Sequence, residues 1–273
     1  MLGHQLLRSL APNHEVRVTL RENAGAYSAC ALFGQANAYF GVDVRATERL
    51  LEVLADFRPL WIINAIGIVK QRREAEERGL SIEINALLPH RLAMMGAAIG
   101  ARLIHMSTDC VFSGRKGSYR ESDIPDADDI YGKTKYLGEV SGENCLTLRT
   151  SIIGRELNRR TSLLEWFLAQ AGPIKGYRRA IFTGFTTMEM SRIIEMMITR
   201  HPRASGVYQV SSDPISKFEL LGLFRERLNH RIQIDPDDEF TCDRSLDSSR
   251  FRREFDYRPP DWGAMIEELK EQL

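Results

Sequence analysis

Features that would assign this chain of 273 residues to a specialised class are missing. Basic and acidic residues number 37 each, so the zero net charge favours neither nucleic acid nor an anionic membrane as a partner. The sequence has no apolar run long enough to span a bilayer. Its start, Met1-Leu2-Gly3-His4, lacks the charged segment and apolar core of a signal peptide. These absences predict a cytoplasmic protein.

Cysteine and histidine also offer no motif. The four cysteines form no Cys-x-x-Cys pair, and they are scattered at Cys30, Cys110, Cys145 and Cys242. No pair of the six histidines has metal-ligand spacing on a helix. The sequence therefore predicts reduced thiols and no metal site.

What is present is an alternation of strand and helix patterns. Predicted strands and helices follow each other about five times up to residue 150, which favours a doubly wound parallel sheet. The charged stretch Lys70–Arg78 predicts a solvated helix or loop. The strands are predicted at His14–Leu20, Tyr39–Val44, Leu60–Ile66, Ala101–Met106 and Cys145–Leu148, and the helices at Leu50–Phe57, Ser81–Ile99 and after Ile130.

The pattern changes beyond residue 150. Helices are predicted at Leu163–Ala169, Met188–Ile198, Lys217–Leu228 and Trp262–Leu269, with short strands at Val207–Val210 and Ile232–Ile234. We predict a nucleotide-binding domain over residues 1–150, which also receives about 184–204, and a smaller α/β substrate-binding region over 151–273.

One stretch carries chemistry. The apolar run Ala101–Met106 predicts a buried strand that ends at Ser107-Thr108. Tyr131 and Lys135 lie four residues apart on a predicted helix and share a face. An ammonium there is expected to lower the phenol pKa, and a hydroxyl at the strand end can bind a substrate oxygen. A Tyr and a Lys four apart often mark only a solvated helix face, but the preceding strand and hydroxyl favour a proton-transfer site.

These motifs resemble a known family. Ser107-Thr108-Asp109-x-Val111-Phe112, followed by Tyr131-Gly132-Lys133-x-Lys135, is similar to the extended short-chain dehydrogenase/reductases. The pattern looks most like the dTDP-4-dehydrorhamnose reductase branch, and the similarity is strongest between Ile62 and Gly154. Cys110 stands where that branch usually has Tyr, which leaves the exact substrate open.

The resemblance implies a Rossmann-like fold and a reaction. NADPH would reduce the 4-keto group of a nucleotide-linked 4-keto-6-deoxy sugar, in the synthesis of cell-surface polysaccharide precursors. Tyr131 would protonate the developing alkoxide, and Thr108 would hydrogen-bond the same oxygen. Lys135 would bind the cofactor ribose and hold down the Tyr131 pKa.

The resemblance also implies a cofactor site. The family's glycine-rich turn reads Gly-x-x-Gly-x-x-Gly, and Met1-Leu2-Gly3 fits only its last three positions, which predicts a natural start about ten residues upstream. Arg21 ends the predicted strand that begins at His14, which is the second strand of the family's fold when the expected upstream strand is counted. It suits the 2′-phosphate, so NADP(H) is favoured over NAD(H). Asp43 matches the adenine-contacting position but could equally cap the next helix. Predicted cofactor-binding residues are Gly3, Arg21, Asp43, Val44, Asn64, Ala65, Gly67, Asn85, Ser107, Tyr131 and Lys135.

The resemblance places the nucleotide-sugar substrate in the second half. In the family, the region from Tyr177 to Thr187 folds over the sugar nucleotide, although an ordinary helix-flanking loop explains it equally well. Arg244–Phe251 is similar to a late motif in which a small helix starts at Ser or Asp. Predicted substrate-binding residues are Asp109, Cys110, Val111, Arg149, Thr150, Ser151, Arg178, Arg179 and Phe182.

Relatives with this fold offer alternatives. Similar 4,6-dehydratases place Asp-Glu after the Thr, and the pair Asp109-Cys110 here disfavours dehydration. Epimerases use the same Tyr and Lys with tightly held NAD. Arg21 argues against an epimerase, because a cofactor that is recycled need not be NADP. Non-enzymatic regulatory subunits, such as the β subunit of methionine adenosyltransferase, bind NADP and a partner protein. The sequence leaves open whether the protein forms a homodimer.

Overall fold

The computed structural model describes residues 1–69, 77–157 and 161–272. Most of the charged stretch Lys70–Arg78 lies outside these residues. The strands are β1 Val18–Thr19, β2 Ala38–Tyr39, β3 Trp61–Asn64, β4 Arg102–Met106, β5 Cys145–Arg149, β6 Ile152–Ile153, β7 Ile174–Phe182, β8 Phe185–Thr186, β9 Gly206–Gln209, β10 Ile215–Ser216 and β11 Ile234–Asp243. The helices are α1 Leu2–Leu10, α2 Thr47–Phe57, α3 Arg78–Ser81, α4 Leu88–Ile99, α5 Ile130–Leu137, α6 Leu163–Leu168, α7 Thr187–Arg200, α8 Lys217–Arg227, α9 Ser249–Glu254 and α10 Trp262–Lys270, with a π-helical segment, Ile82–Leu87, between α3 and α4.

The main sheet is parallel, in the order β3-β4-β5-β9, and helices flank its strands. This confirms the predicted α/β class with a parallel sheet. β1 and β2 form a separate parallel pair of only two residues each, so the longer strands predicted at 14–20 and 39–44 are wrong in extent. The start expected upstream of residue 1 stays a prediction.

Strand β4 is positioned by burial and by a helix stop. Leu103 and Ile104 have no exposed surface. Gly100 ends α4 with φ +76°, a left-handed conformation that turns the chain directly into the strand. The carboxyl end of β4 therefore has a fixed place in the sheet.

A second sheet has the order β10-β7-β11, antiparallel on one side of β7 and parallel on the other. Of the two interpretations of Tyr177–Thr187, the helix-flanking loop is wrong for the residues up to Phe182, because those residues belong to β7, the central strand of this sheet. Gly176, Ala180 and Phe182 are buried, whereas Lys175, Arg178 and Arg179 are exposed. The late motif does begin a short helix, α9, directly after Ser248.

One apolar core runs through both halves of the chain. It joins Leu148 of β5, Met190 of α7, Phe224 of α8 and Ile266 of α10, all without exposed surface. The division at residue 150 into two regions stays a prediction. No helix within 1–69, 77–157 and 161–272 is long and apolar enough to cross a bilayer.

Candidate active site

The turn after β4 holds a hydroxyl in one orientation. Thr108 has extended backbone and caps a single 3-10 turn, Asp109–Val111. Its Oγ1 accepts a hydrogen bond from the Cys110 amide at 3.1 Å and donates one to Asp109 Oδ1 at 3.1 Å. The hydroxyl therefore points into the same space as the first turn of α5, where Tyr131 lies.

Helix α5 brings the phenol and the ammonium to this turn. The helix begins after Asp129, whose side chain accepts a hydrogen bond from the Gly132 amide at 2.8 Å. Lys135 is buried, and its Nζ donates to the carbonyl oxygen of Met106 at 2.6 Å. An ammonium has three donors, so two remain for another acceptor. The structure thus brings together the three residues that the sequence singles out as catalytic.

The pKa of the Tyr131 phenol is higher than the sequence predicts. Burial raises the pKa of Tyr131 above its usual range, Cys110 and Asp109 add to this, and a hydrogen bond from Thr108 opposes it. Lys135 is not among the largest causes of this shift, and the expected lowering of the Tyr131 pKa by the ammonium stays a prediction. Burial lowers the pKa of Lys135 to about 8, against the attraction of Glu139. Tyr131 is therefore a proton donor at neutral pH.

Two glycines fix α5 against the backbone. A Cβ on Gly132 would lie 2.2 Å from the Cys110 carbonyl oxygen, and one on Gly138 would lie 1.9 Å from the Asn85 carbonyl oxygen. A side chain at Gly132 would push α5 away from the turn after β4, and one at Gly138 would push it away from the π-helical segment. The sequence contains Gly132 in its motif, but nothing in it signals that Gly138 is also in backbone contact.

Asn85 acts through the protein. Its Oδ1 accepts from the Ile68 amide at 2.9 Å, and its Nδ2 donates to the Ile68 carbonyl oxygen at 3.0 Å and to Thr134 Oγ1 at 3.3 Å. These buried groups already use both amide hydrogens, and the predicted cofactor contact of Asn85 stays a prediction. Asn85 positions α5 and the segment that follows β3.

The turn after β3 offers backbone and little else. Asn64 is buried, with Oδ1 accepting from the Ile66 amide at 3.1 Å and Nδ2 donating to His105 Nδ1 at 3.1 Å. Its side chain is therefore committed to the protein, and the predicted cofactor contact of Asn64 stays a prediction. Ala65 and Gly67 are small enough for a ligand to approach the main chain.

A buried ion pair engages two further predicted residues. Arg149 donates from Nε and Nη2 to the two carboxylate oxygens of Glu139 at 2.8 and 2.7 Å, and each side chain is only 5% exposed. Glu139 Oε1 also accepts from Ser107 Oγ at 2.7 Å. Nε and Nη2 of Arg149 are therefore held inside the protein, only Nη1 lacks a partner among the described residues, and the Ser107 hydroxyl is taken up by Glu139.

Replacing Arg149 by methionine is expected to destabilise the fold by about 3–5 kcal/mol, because the Glu139 carboxylate would stay buried without its partner. Thermal unfolding measures this loss. The double variant Glu139→Gln with Arg149→Met should recover part of the lost stability, since neither charge then remains. A single variant as stable as the parent would show that the pair is not essential.

Other predicted substrate residues are buried. Val111 has no exposed surface and packs with Phe112, Tyr119 and Leu246. Thr150 is 2% exposed. These two corrections have one cause, because residues beside a motif can belong to the core. Ser151 is half-buried after β5 and stays a prediction.

The three predicted substrate-binding residues on β7 do not converge on one site. Phe182 is buried, with its ring centroid 5.7 Å from that of Trp262, so it is not free to stack on a base as predicted. Arg178 and Arg179 are adjacent on the strand and point to opposite faces, so both cannot clamp one diphosphate. Arg178 Nη1 is also paired with Asp238 Oδ2 at 3.2 Å.

The adenine end of the predicted cofactor site is polar and open. Arg21 is exposed, and its contact with Glu22 is long at 3.9 Å. Asp43 is bound by Arg45, whose hydrogen bond lowers the Asp43 pKa to about 2. Asp43 does not cap α2, whose cap residue is Ala46.

Gly3 and Val44 complete the predicted cofactor set. Gly3 lies in the first turn of α1, with nothing within 4 Å of its would-be Cβ, so there is room beside it for a ligand. Val44 is half-buried against Ile68 and Ile84. Neither position has a contact that tests its role.

Sequence reasoning missed two cations near the catalytic turn. Arg244 Nε donates to the Phe112 carbonyl oxygen at 2.8 Å. Lys217, the first residue of α8, shares electrostatic interactions with Asp109 and Cys110. A helix-initial lysine and an arginine in a loop carry no sequence signal of such a position. The described residues contain no cluster of three His, Cys, Asp or Glu that could hold a metal ion.

Comparisons with known proteins agree with this geometry. The chain is 24% identical to a dTDP-4-dehydrorhamnose reductase of Aggregatibacter actinomycetemcomitans, over 98% of this chain and 96% of that protein. It is 37% identical to methionine adenosyltransferase 2 subunit beta of Bos taurus, over 43% of this chain but only 36% of that protein. The crystal structure of a Bacillus anthracis dTDP-4-dehydrorhamnose reductase, in complex with NADP, has the same fold. Its TM-score is 0.77 at 21% identity, over 95% of this chain and all of that one.

The family described as the RmlD substrate binding domain matches residues 1–170, which include the whole Thr108, Tyr131 and Lys135 site. The chain therefore belongs to the RmlD substrate binding domain family, whose members with this fold include homologous sugar-nucleotide reductases.

Proposed function

We propose that this chain is an NADPH-dependent reductase of the 4-keto group of a nucleotide-linked 4-keto-6-deoxy sugar, and that it serves the synthesis of cell-surface polysaccharide precursors. One observation carries the proposal. Thr108, Tyr131 and Lys135 meet at the carboxyl end of a buried parallel strand, where ligands of such sheets bind. The phenol is protonated there and the ammonium has donors to spare.

The residues can assist reduction of a carbonyl. Tyr131 would donate to the keto oxygen, and Thr108 would do so once its one hydroxyl proton turns away from Asp109 Oδ1. Both hydrogen bonds would polarise the carbonyl. A bound nicotinamide would supply hydride to C4. As the carbon–oxygen double bond becomes a single bond, Tyr131 would give its proton to the oxygen, leaving an alcohol and a phenolate. Lys135 would stabilise that phenolate until a proton from solvent restores it.

The cofactor site fits a nicotinamide dinucleotide. Two donors of the Lys135 ammonium remain for ribose hydroxyls, and the small residues Ala65 and Gly67 leave space beside the main chain. Arg21 is exposed at the carboxyl end of β1, with only the long contact to Glu22. An arginine so placed supports NADP(H) over NAD(H), because it can pair with the 2′-phosphate.

Replacing Arg21 by aspartate is expected to weaken NADPH binding by roughly tenfold or more and to leave NADH binding the same or tighter, because one charge-assisted contact is lost. Fluorescence titration with each cofactor measures this. Arg253→Asp, on an exposed position of α9, makes the same charge change and should alter neither affinity. Equal weakening of both cofactors by Arg21→Asp would refute the role in phosphate recognition.

The neighbour of Asp109 argues against dehydration. Burial, with the Asp109 charge, raises the pKa of Cys110 to about 12, so its thiol stays neutral and cannot replace a carboxylate base. An epimerase would use the same Tyr131 and Lys135 without net consumption of cofactor. Counting NADPH oxidised per product separates the two, since a reductase consumes one for each sugar reduced.

A second candidate is a non-catalytic regulatory subunit that binds NADP and a partner protein. The 37% identity to methionine adenosyltransferase 2 subunit beta favours it, although that alignment spans about a third of the relative. Turnover of dTDP-4-dehydrorhamnose with NADPH decides between them. Steady oxidation of NADPH supports the reductase. Tight NADPH binding without turnover of any 4-keto nucleotide sugar would support the regulatory subunit.

A further inference from the structure

Lys217 is held opposite the catalytic turn. It follows β10, whose Ser216 and Ile215 pair with Ile181 and Phe182 at the end of β7. The Ser216 side chain and Glu219 form reciprocal hydrogen bonds that fix the start of α8. The Lys217 Nζ consequently lies 3.8 Å from the centroid of the Phe182 ring.

The ammonium has no acceptor. Within the part of the chain that the structure describes, Lys217 makes no hydrogen bond or ion pair, and its side chain is half-buried. The groups of opposite or potential negative charge that face it are Asp109, Cys110 and Cys242, but Asp109 already accepts from Thr108. Burial lowers the pKa of Lys217 to about 8, which leaves it charged at neutral pH.

A half-buried ammonium without an acceptor costs free energy of folding. The Phe182 ring offsets part of that cost through a cation–π contact. Asp109 and Cys110, which immediately follow Thr108, interact electrostatically with the ammonium. A ligand oxygen beside these residues would give the ammonium an acceptor.

We propose that Lys217 is a substrate-binding residue that donates a charge-assisted hydrogen bond to an oxygen of the substrate's sugar, beside the reacting carbonyl. This rests on the proposed function and specifies its sugar subsite. The sugar is favoured over the diphosphate for two reasons. Asp109 and Cys110 adjoin the residue that binds the reacting oxygen, and the Asp109 carboxylate would repel a diphosphate in the same space.

The test measures binding of two probes in the presence of NADPH, which cannot react with an already reduced sugar. The probes are dTDP-rhamnose and dTDP. Lys217→Met should weaken dTDP-rhamnose by roughly 10- to 100-fold and leave dTDP within about twofold, because a charge-assisted hydrogen bond is lost only from the sugar. Lys217→Arg should retain most of the affinity for dTDP-rhamnose.

Two controls separate this role from a structural one. Lys175→Met removes an exposed lysine on β7 that is paired with Asp237, and it should change neither probe. The melting temperature of Lys217→Met should not fall, because the variant removes a charge that lacks an acceptor.

The outcomes are distinct. Equal weakening of dTDP and dTDP-rhamnose would overturn the sugar contact in favour of the diphosphate. Unchanged binding of both, or a lower melting temperature with equal loss of NADPH affinity, would overturn any substrate contact. A parent chain that binds neither dTDP probe contradicts the proposed function itself, and the inference falls with it.

Discussion

Tyr131→Phe is expected to lower turnover by about a hundredfold or more while NADPH affinity stays within about twofold. The change keeps the ring that packs beside Thr108 and removes only the proton that the developing alkoxide needs. Because the Tyr131 pKa is raised, the phenol is almost fully protonated at neutral pH. The substitution therefore removes a proton that nearly every molecule of the parent protein carries. Single-turnover measurement of NADPH oxidation reports the chemical step directly.

Tyr136→Phe is the matched control. Tyr136 lies on the same helix and is 44% exposed. Its substitution by phenylalanine also removes one hydroxyl, at a position away from the turn. Its turnover should equal that of the parent. If Tyr131→Phe retains most of the activity while chemistry limits the rate, the proton comes from another group and the proposed mechanism is wrong.

Gly138→Ala is expected to destabilise the fold by about 2 kcal/mol or more. The new methyl would lie 1.9 Å from the Asn85 carbonyl oxygen and 3.2 Å from the Ala86 Cα, both of them backbone atoms that cannot rotate away. Alanine in place of glycine normally gains up to about 1 kcal/mol in a helix, and the clash must exceed that gain. The melting temperature should fall by several degrees.

Gly222→Ala provides a control of opposite sign. Gly222 lies within α8, and nothing stands within 4 Å of its would-be Cβ. Here the lower entropy of the unfolded chain should raise the melting temperature slightly. A Gly138→Ala protein that melts at or above the parent temperature would show that α5 can move away from the π-helical segment at little cost.

The parts of the site that the sequence predicts are those fixed by local pattern. A strand ending at Thr108 and a helix carrying Tyr131 and Lys135 require only apolar runs and a four-residue spacing, and both elements form where expected. The order of strands and helices likewise indicates the parallel sheet.

The errors concern properties that depend on distant partners. Arg149 is paired with Glu139, ten residues earlier, and no local signal marks a buried ion pair. Burial is the largest cause of the raised Tyr131 pKa, and burial is a property of the assembled core. The mixture of cations and aromatics in β7 is compatible with a loop when only the local sequence is considered. The segment forms a strand because it pairs with β11, some sixty residues later.

The apolar core shared by both halves determines how the molecule unfolds. Leu148 before the division at residue 150 and Phe224 after it belong to the same packed cluster, so neither half can lose its partner without exposing core side chains to water. Cooperativity should then span the whole chain, and the amides of β5 and α8 should exchange with solvent at a common, slow rate. The surface loops of the second half could then vary in sequence, but that half could not be exchanged as an independent module.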